Sequence, residues 1–159
     1  MSYQVTLTDQ PGVLAARKRV RTPAGELTRA LGDGFASLFR HTAEQGATPV
    51  GPPQVAYSGE FAPDADVDLD LLLPTDRPVE PGNGVEPARL PAGPVARTYH
   101  HGPYDRIGAA YEALFAWIAD HDRRQAGPPR EVYLTGPDAV SDPEMYLTEV
   151  VVPLVPTGN

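Results

Sequence analysis

The 159-residue sequence contains no cysteine, and this absence alone excludes three kinds of site. Without thiols the chain cannot form a disulfide framework, a thiolate zinc site or a cysteine nucleophile. Basic residues are also scarce: 13 lysines and arginines stand against 21 aspartates and glutamates, which gives a net charge of −8 at pH 7. A surface that binds nucleic-acid phosphates needs the opposite balance, so the sequence predicts no direct binding of nucleic acid.

Signals for export, membrane insertion and several common chemistries are missing as well. No apolar run approaches the roughly 18 residues of a spanning helix, and the N-terminus has no basic or apolar signal region. The chain has no Gly-x-Ser-x-Gly elbow, and its only lysine, Lys18, belongs to no phosphate loop. His100 and His101 are neighbours on a predicted strand and point to opposite faces, which argues against a shared metal. We therefore predict a cytoplasmic protein without metal, cofactor or membrane contact.

An internal repeat organises what is present. At an offset of 76 residues, two similar patterns align over most of their length, and after the aligned Tyr57 and Tyr133 the register slips by three residues. Asp70 then corresponds to Glu149. The repeat predicts one domain over residues 1–159, made of modules 3–74 and 85–154 with a linker at 75–84. The aligned positions include Arg21-Thr22 with Arg97-Thr98, Gly32 with Gly108, and Gly51-Pro52-Pro53 with Gly127-Pro128-Pro129.

Each half predicts the order strand, strand, helix, strand, strand. Alternating apolar residues indicate the strands, and apolar residues at helical spacing indicate the helices. The sequence therefore predicts an α+β fold in which two pseudo-twofold-related ββαββ modules form one mainly antiparallel eight-stranded sheet, with both helices on one face and a central cleft. The predicted strands are 3–8, 13–21, 54–61, 67–73, 85–90, 95–100, 130–135 and 145–154, and the predicted helices are 23–45 and 104–122.

Glu149 is the acidic residue that stands out, because it lies in the least polar predicted strand. Its equivalent Asp70 lies where acids alternate with apolar residues, which is typical of a strand with one solvated face. A buried, unpaired charge is costly, so Glu149 needs a basic partner, a bound proton or a cationic ligand. A salt bridge to Arg97 or Arg130 and a ligand-facing role are both open at this point.

Aromatic residues concentrate in the second module. Tyr111 and Phe115 belong to a helical stripe typical of core packing, whereas Trp117 lies off that stripe and covers either a groove or only the helix flank. A carboxylate among such rings suits a flat lipophilic cation, since each well-placed ring adds roughly 0.5–2 kcal/mol of cation–π attraction. The candidate ligand-binding residues are Glu149, Tyr104, Tyr111, Trp117, Tyr133 and Tyr146.

Three stretches of the second half resemble the GyrI-like effector-binding domain family, which includes the ligand-binding halves of AraC-type and MerR-type multidrug regulators. They are His101-Gly102-Pro103-Tyr104, the run from Gly127 to Leu134, and Tyr146-Leu147-Thr148-Glu149-Val150. In the first half the similarity rests on the repeat and on its Gly-Pro-Pro segment. The resemblance implies a duplicated module with a central pocket for bulky hydrophobic, often cationic compounds, and Glu149 matches the family's pocket glutamate.

The function expected from this resemblance is binding of lipophilic aromatic or cationic small molecules in the cleft between the modules. Because the first predicted strand begins at residue 3, no helix-turn-helix fits before it, and the chain looks like a stand-alone member. Two alternatives stay open: hydrolysis of strained cyclopropane-bearing electrophilic toxins by Glu149 and a nearby tyrosine, and inhibition of DNA gyrase by an acidic segment at 64–70 that mimics DNA. Neither the ligand nor a protein partner follows from the sequence.

Overall fold

A computed structural model describes residues 3–57, 66–137 and 139–157. Over these residues the fold is α+β, with two helices and eight antiparallel strands, as predicted. Three short 3-10 turns, at Ala24–Glu26, Tyr104–Arg106 and Pro143–Met145, precede α1, α2 and β8. The strands are β1 Thr6–Gln10, β2 Val13–Pro23, β3 Gln54–Tyr57, β4 Asp66–Pro74, β5 Val85–Leu90, β6 Gly93–His101, β7 Arg130–Thr135 and β8 Leu147–Pro153, and the helices are α1 Leu27–Glu44 and α2 Gly108–Asp120.

Among the strands, the first differs most from its prediction. It spans Thr6–Gln10 instead of 3–8, and the residues before it contact β6 through side-chain hydrogen bonds. The Tyr3 hydroxyl lies 2.9 Å from His100 Nδ1, and the Gln4 carbonyl accepts a hydrogen bond from the Thr98 hydroxyl at 2.8 Å. Both helices and β8 begin later than predicted because a 3-10 turn occupies the first residues of each predicted element. The predicted extension of β3 over 58–61 lies outside the described residues.

The contacts of the chain divide it into two compact units. Unit 1 contains Met1–Pro11 and Ala92–Asn159, with the strand order β1-β6-β8-β7, and unit 2 contains Gly12–Pro91, with the order β3-β4-β2-β5. The repeated halves therefore exchange a strand: β1 pairs with β6 of the second half, and β5 pairs with β2 of the first half. The assignment of one domain with modules 3–74 and 85–154 stays a prediction.

In unit 2, α1 covers one face of its strands. Leu38 of the helix is fully buried together with Leu69, Leu71 and Leu73, which alternate along β4. Gly34 lies directly over β4, where an added Cβ would overlap the Leu71 side chain. The helix ends where Gly46 adopts a φ of +71°, a left-handed conformation that glycine tolerates without strain.

Unit 1 has the same layered construction with different side chains. On the face that we call the helix face, α2 packs through Ala110, Leu114 and Ile118 against a core that includes Ala96, Val150 and Val152. On the reverse face, Val95, Val132 and Val151 form a separate buried cluster, as alternation along the strands requires. Phe115 departs from the predicted core stripe, since 41% of it is exposed. None of the helices in the described ranges is long and apolar enough to cross a membrane.

Candidate functional site

Two glutamates occupy opposite faces of the unit 1 strands. Glu131 of β7 lies opposite Val150 of β8, whose side chain belongs to the core under α2, so Glu131 is on the helix face. Val132, the next residue, lies opposite Glu149, and both therefore point to the reverse face. The sequence singled out Glu149, but the structure presents two carboxylates with different surroundings.

Glu149 is paired with an arginine. Arg97 Nη1 donates to Glu149 Oε2 at 3.1 Å, and the two side chains are 22% and 12% exposed. Tyr99 lies opposite Glu149 on β6, and the pKa of its phenol is raised, first by the hydrogen bond that it donates to Glu149 and then by the negative charge. Of the two possibilities left open for Glu149, the salt bridge is the one present in the structure.

A second arginine lies on the same reverse face. Arg130 is only 5% exposed, and its Nη2 donates to Gln10 Oε1 at 3.0 Å. Burial lowers the pKa of Arg130, while the nearby charge of Glu149 acts in the opposite direction and that of Arg97 lowers the pKa further. Glu149 therefore lies in the field of two guanidinium groups, which already compensate its negative charge.

Glu131 has no such compensation. It is 7% exposed, and its two carboxylate oxygens accept hydrogen bonds from two tyrosines, Tyr111 Oη at 2.6 Å and Tyr133 Oη at 3.0 Å. In the described part of the chain it forms no salt bridge. Burial raises the pKa of Glu131, and the hydrogen bonds from Tyr111 and Tyr133 and the field of His100 lower it only in part. The net direction is upward, towards a protonated acid.

A buried polar row crosses the sheet beside Glu131. His100 of β6 and Tyr133 of β7 both lie opposite Thr148 of β8, so all three share the helix face. His100 is 2% exposed, and its ring nitrogens lie 2.9 Å from the Tyr3 hydroxyl and 2.9 Å from the Pro103 carbonyl. The Thr148 hydroxyl is buried and has no hydrogen-bond partner among the residues that the structure describes. The helix face thus holds polar groups in an otherwise apolar core.

An aromatic series leads from the surface to Glu131. The ring of Tyr104 is 37% exposed and meets Tyr133 edge to face, with centroids 5.7 Å apart. Tyr146 stacks on the same Tyr104 ring at 5.1 Å. Tyr133 in turn bonds Glu131. Four of the predicted ligand-binding residues, Tyr104, Tyr111, Tyr133 and Tyr146, therefore form a connected group around a glutamate that was not predicted.

Trp117 occupies a different environment. It packs against the core of unit 1 and stacks on His121, with ring centroids 4.0 Å apart. His121 Nδ1 also lies 2.8 Å from the Trp117 carbonyl. The structure gives Trp117 contacts that belong to the helix flank, and its role in ligand binding stays a prediction, as does that of Glu149.

Sequence reasoning missed Glu131, although one signal pointed to it. Strand alternation places Glu131 and Tyr133 on one face of β7, but the sequence did not say which face is covered. Glu149 was singled out instead, because it lies in the least polar predicted strand.

The acidic segment at 64–70 is matched by arginines over its described part. Asp70 pairs with Arg19 at 3.5 Å, and Asp66 and Asp68 pair with Arg21 at 3.2 and 3.8 Å. These pairs form a ladder between β2 and β4, so the described acids are not an unbalanced negative surface of the kind that DNA mimicry requires. Residues 64 and 65 lie outside the described residues.

The histidines and acids of the described residues do not form a metal site. Within residues 3–57, 66–137 and 139–157, no group of three or more histidines, aspartates or glutamates is arranged to hold an ion. His100 is engaged by Tyr3 and Pro103, and His101 is exposed. The chemistry available at Glu131 is therefore that of a carboxyl group and phenols.

The chain matches a known protein family and several solved structures. Residues 3–155 match the GyrI-like small molecule binding domain. The C-terminal domain of EcmrR superposes with a TM-score of 0.86 at 20% identity and covers 99% of this chain and 100% of its own. The chain covers 58% of the longer EcmrR chain solved with DNA. No functionally curated protein matches the sequence.

Two further solved structures share the fold. A hydrolase encoded by lin2189 from Listeria innocua has a TM-score of 0.70 at 15% identity, with 96% of this chain and 92% of that chain covered. SAV2435, solved bound to tetraphenylphosphonium, has a TM-score of 0.58 at 12% identity, with 98% and 94% covered. At these identities the likeness concerns the fold alone.

Proposed function

Because the chain belongs to the family of GyrI-like small-molecule-binding domains, we propose that it binds bulky lipophilic aromatic cations on the helix face of unit 1. Glu131 supplies the negative charge, and Tyr104, Tyr111, Tyr133 and Tyr146 supply the aromatic surface. Cation–π contact and charge pairing act together in such a site and are strongest where water is excluded.

The burial of Glu131 without a basic partner carries this proposal. Acidic side chains are almost never buried unless they are paired, and an unpaired one is a candidate for a functional group. The two tyrosine hydroxyls, at 2.6 and 3.0 Å, fix the orientation of the carboxylate. They leave further lone pairs on both oxygens, since a carboxylate offers about four acceptor positions. A bound cation would complete the charge balance that the chain itself does not supply.

The class of ligand follows from the aromatic series. Tyr104 is partly exposed and connects through Tyr133 to Glu131, so a ligand with several rings can contact tyrosines along the way to the carboxylate. Tetraphenylphosphonium, the compound bound to SAV2435, has this combination of aromatic rings and positive charge. It is the natural probe for this chain.

The test is a calorimetric titration of tetraphenylphosphonium into the wild type, Glu131→Gln, Glu149→Gln and Glu112→Gln. We expect Glu131→Gln to weaken binding by at least about tenfold, because a charge-assisted contact is lost. Glu112 is exposed on α2 next to Tyr111 and provides the matched control. Equal affinities of Glu131→Gln and the wild type would refute the proposal. A loss confined to Glu149→Gln would instead identify Glu149, the residue predicted from the sequence, as the ligand's counter-charge.

Hydrolysis of a strained electrophile is the second candidate, and the raised pKa of Glu131 favours it. A carboxyl group whose pKa is raised by burial, beside a tyrosine hydroxyl, can act as a general acid that protonates a carbonyl of the substrate while water opens the strained ring. The assay follows a cyclopropane-bearing electrophile by chromatography with an excess of substrate over protein. Product beyond one equivalent that disappears in Glu131→Gln supports catalysis, whereas product that never exceeds one equivalent excludes turnover and favours sequestration.

A further inference from the structure

Among the described residues, the groups that surround Glu131 form no ion pair with it. The helix α2 contributes the Tyr111 hydroxyl, and β7 contributes the Tyr133 hydroxyl. The titratable group of β6 on this face is His100, whose ring nitrogens both have hydrogen-bond partners. From β8 come the uncharged side chains of Thr148 and Val150. The arginines of the same strands, Arg97 and Arg130, lie on the reverse face.

An ionised carboxylate in this position would be buried with two phenols as its only strong partners. Hydrogen bonds from tyrosine hydroxyls stabilise the anion, but a group that is 7% exposed loses most of its hydration. A buried acid in such surroundings usually binds a proton, which neutralises its charge. A cation that enters the same place removes the need for that proton.

Building on the proposed function, we propose that binding at this site is an exchange, in which Glu131 holds a proton in the ligand-free protein and releases it when a cation binds. The O–H bond of the carboxyl group breaks, its electron pair stays on the carboxylate, and the proton passes to the solvent. One positive charge leaves the site for each one that enters. The upward direction of the Glu131 pKa agrees with this exchange.

The exchange makes ligand affinity depend on pH. At pH values below the pKa of free Glu131, a cation must displace a proton, so its apparent affinity rises by up to about tenfold for each pH unit. Above that pKa the dependence ends. A permanent cation shows this dependence without any change in its own charge, which makes tetraphenylphosphonium the appropriate ligand.

The decisive measurement is calorimetry of tetraphenylphosphonium binding between pH 5 and 8, in pairs of buffers that differ in ionisation enthalpy. We expect the wild type to release up to one proton per ligand at the acidic end and fewer as the pH rises. Glu131→Gln should bind more weakly with no proton release, and Glu112→Gln should behave as the wild type. Proton release that persists in Glu131→Gln would assign the proton to another group such as His100. Binding without proton release at any pH would refute the exchange.

A second readout examines the ligand-free protein and separates this inference from the proposed function. Infrared difference spectra should show the C=O band of a protonated carboxyl group in the wild type at pH 6, and that band should be missing in Glu131→Gln. If the band is present but tetraphenylphosphonium does not bind, the proposed function fails and the protonated Glu131 stands. If the wild-type and Glu131→Gln spectra agree, the proton is not on Glu131.

Discussion

At the scale of single residues, the protein shows how differently two glutamates behave on one set of strands. Glu149 lies against Arg97 and within the field of Arg130, so its charge is compensated on the reverse face. Glu131, on the helix face, is held by Tyr111 and Tyr133. The two acids lie on opposite faces of the same strands, and the side chains of Arg97 and Arg130 lie on the face of Glu149.

The buried position of Glu131 predicts an unusual pH dependence of stability. Its pKa in the folded protein is raised above the ordinary value of 4.5, so the folded state binds more protons than the unfolded state between the two values. Stability contributed by this group is complete below pH 4.5 and is lost as the pH rises through the folded pKa. We expect the free energy of unfolding of the wild type to fall over this window relative to that of Glu131→Gln.

Urea denaturation at several pH values from 5 to 8 measures this difference. Glu131→Gln cannot ionise and should lack the fall, although the loss of one acceptor for the two tyrosines lowers its stability by a constant amount of about 1 kcal/mol. Glu112→Gln should follow the wild type throughout. Parallel curves for the wild type and Glu131→Gln would contradict a raised pKa.

The residues of the site were only partly accessible from the sequence. Tyr104, Tyr111, Tyr133 and Tyr146 could be named because aromatic residues cluster in the second half. From the sequence, Glu149 was chosen and Glu131 was not weighed against it, because alternation defines two faces without telling which one a helix covers. The surroundings of the two acids depend on the packing of α2 and on the direction of Arg97, and both are long-range features.

At the scale of elements, the two halves of the repeat differ in strand register. In unit 2, Asp70 lies opposite Arg19. The repeat aligns these residues with Glu149 and Val95 of unit 1. There, however, Glu149 lies opposite Tyr99, which is four residues beyond Val95. An even shift keeps every side chain on its face, so the apolar pattern is the same in either register. The sequence therefore predicted the strands and their order of appearance, but it could not reveal this shift.

The helix α1 offers a matched pair of glycines for a test of packing. Gly32 is exposed with nothing within 4 Å of a built Cβ, whereas the Cβ of a residue at Gly34 would overlap the Leu71 side chain. We expect Gly32→Ala to stabilise the protein by up to about 1 kcal/mol through helix propensity. Gly34→Ala should destabilise it by about 1–3 kcal/mol, because the helix must move away from β4.

Thermal and urea unfolding of both variants provide the measurement. The repeat supplies an internal comparison, since the position equivalent to Gly34 is the buried Ala110 of α2, where the chain already accommodates a Cβ. Equal stabilities of the two alanine variants would mean that α1 does not approach β4 as closely as the structure has it.

At the scale of the whole molecule, the repeated halves are linked by the strands that they exchange. β1 belongs to the first half of the sequence but pairs with β6, and β5 belongs to the second half but pairs with β2. The internal repeat of the sequence does not predict this exchange, because the equivalent strands β1 and β5 have similar residue patterns whichever half they pair with. Each half therefore contributes a strand that the other half needs.

Cleavage of the linker tests this exchange. A protease site inserted between the exposed residues Arg77 and Pro78 would separate the chain into fragments that each carry a strand paired with the other. We expect the two fragments to elute together in size-exclusion chromatography after complete cleavage and to separate in denaturant. The uncut insertion variant is the control. Fragments that separate under native conditions would argue against the exchanged pairing.

The exchanged strand also sets an order for folding during synthesis. Unit 2 is one continuous run from Gly12 to Pro91, so it can be completed as soon as that run has left the ribosome. β1 is synthesised before unit 2, yet its partner β6 begins only at Gly93, after unit 2 has ended. Until then β1 is an unpaired strand with free backbone donors and acceptors, the kind of edge that invites intermolecular pairing. A segment that is synthesised before unit 2 is thus paired only after unit 2 is complete, and translation that stalls before β6 would release a chain in which β1 has no partner strand.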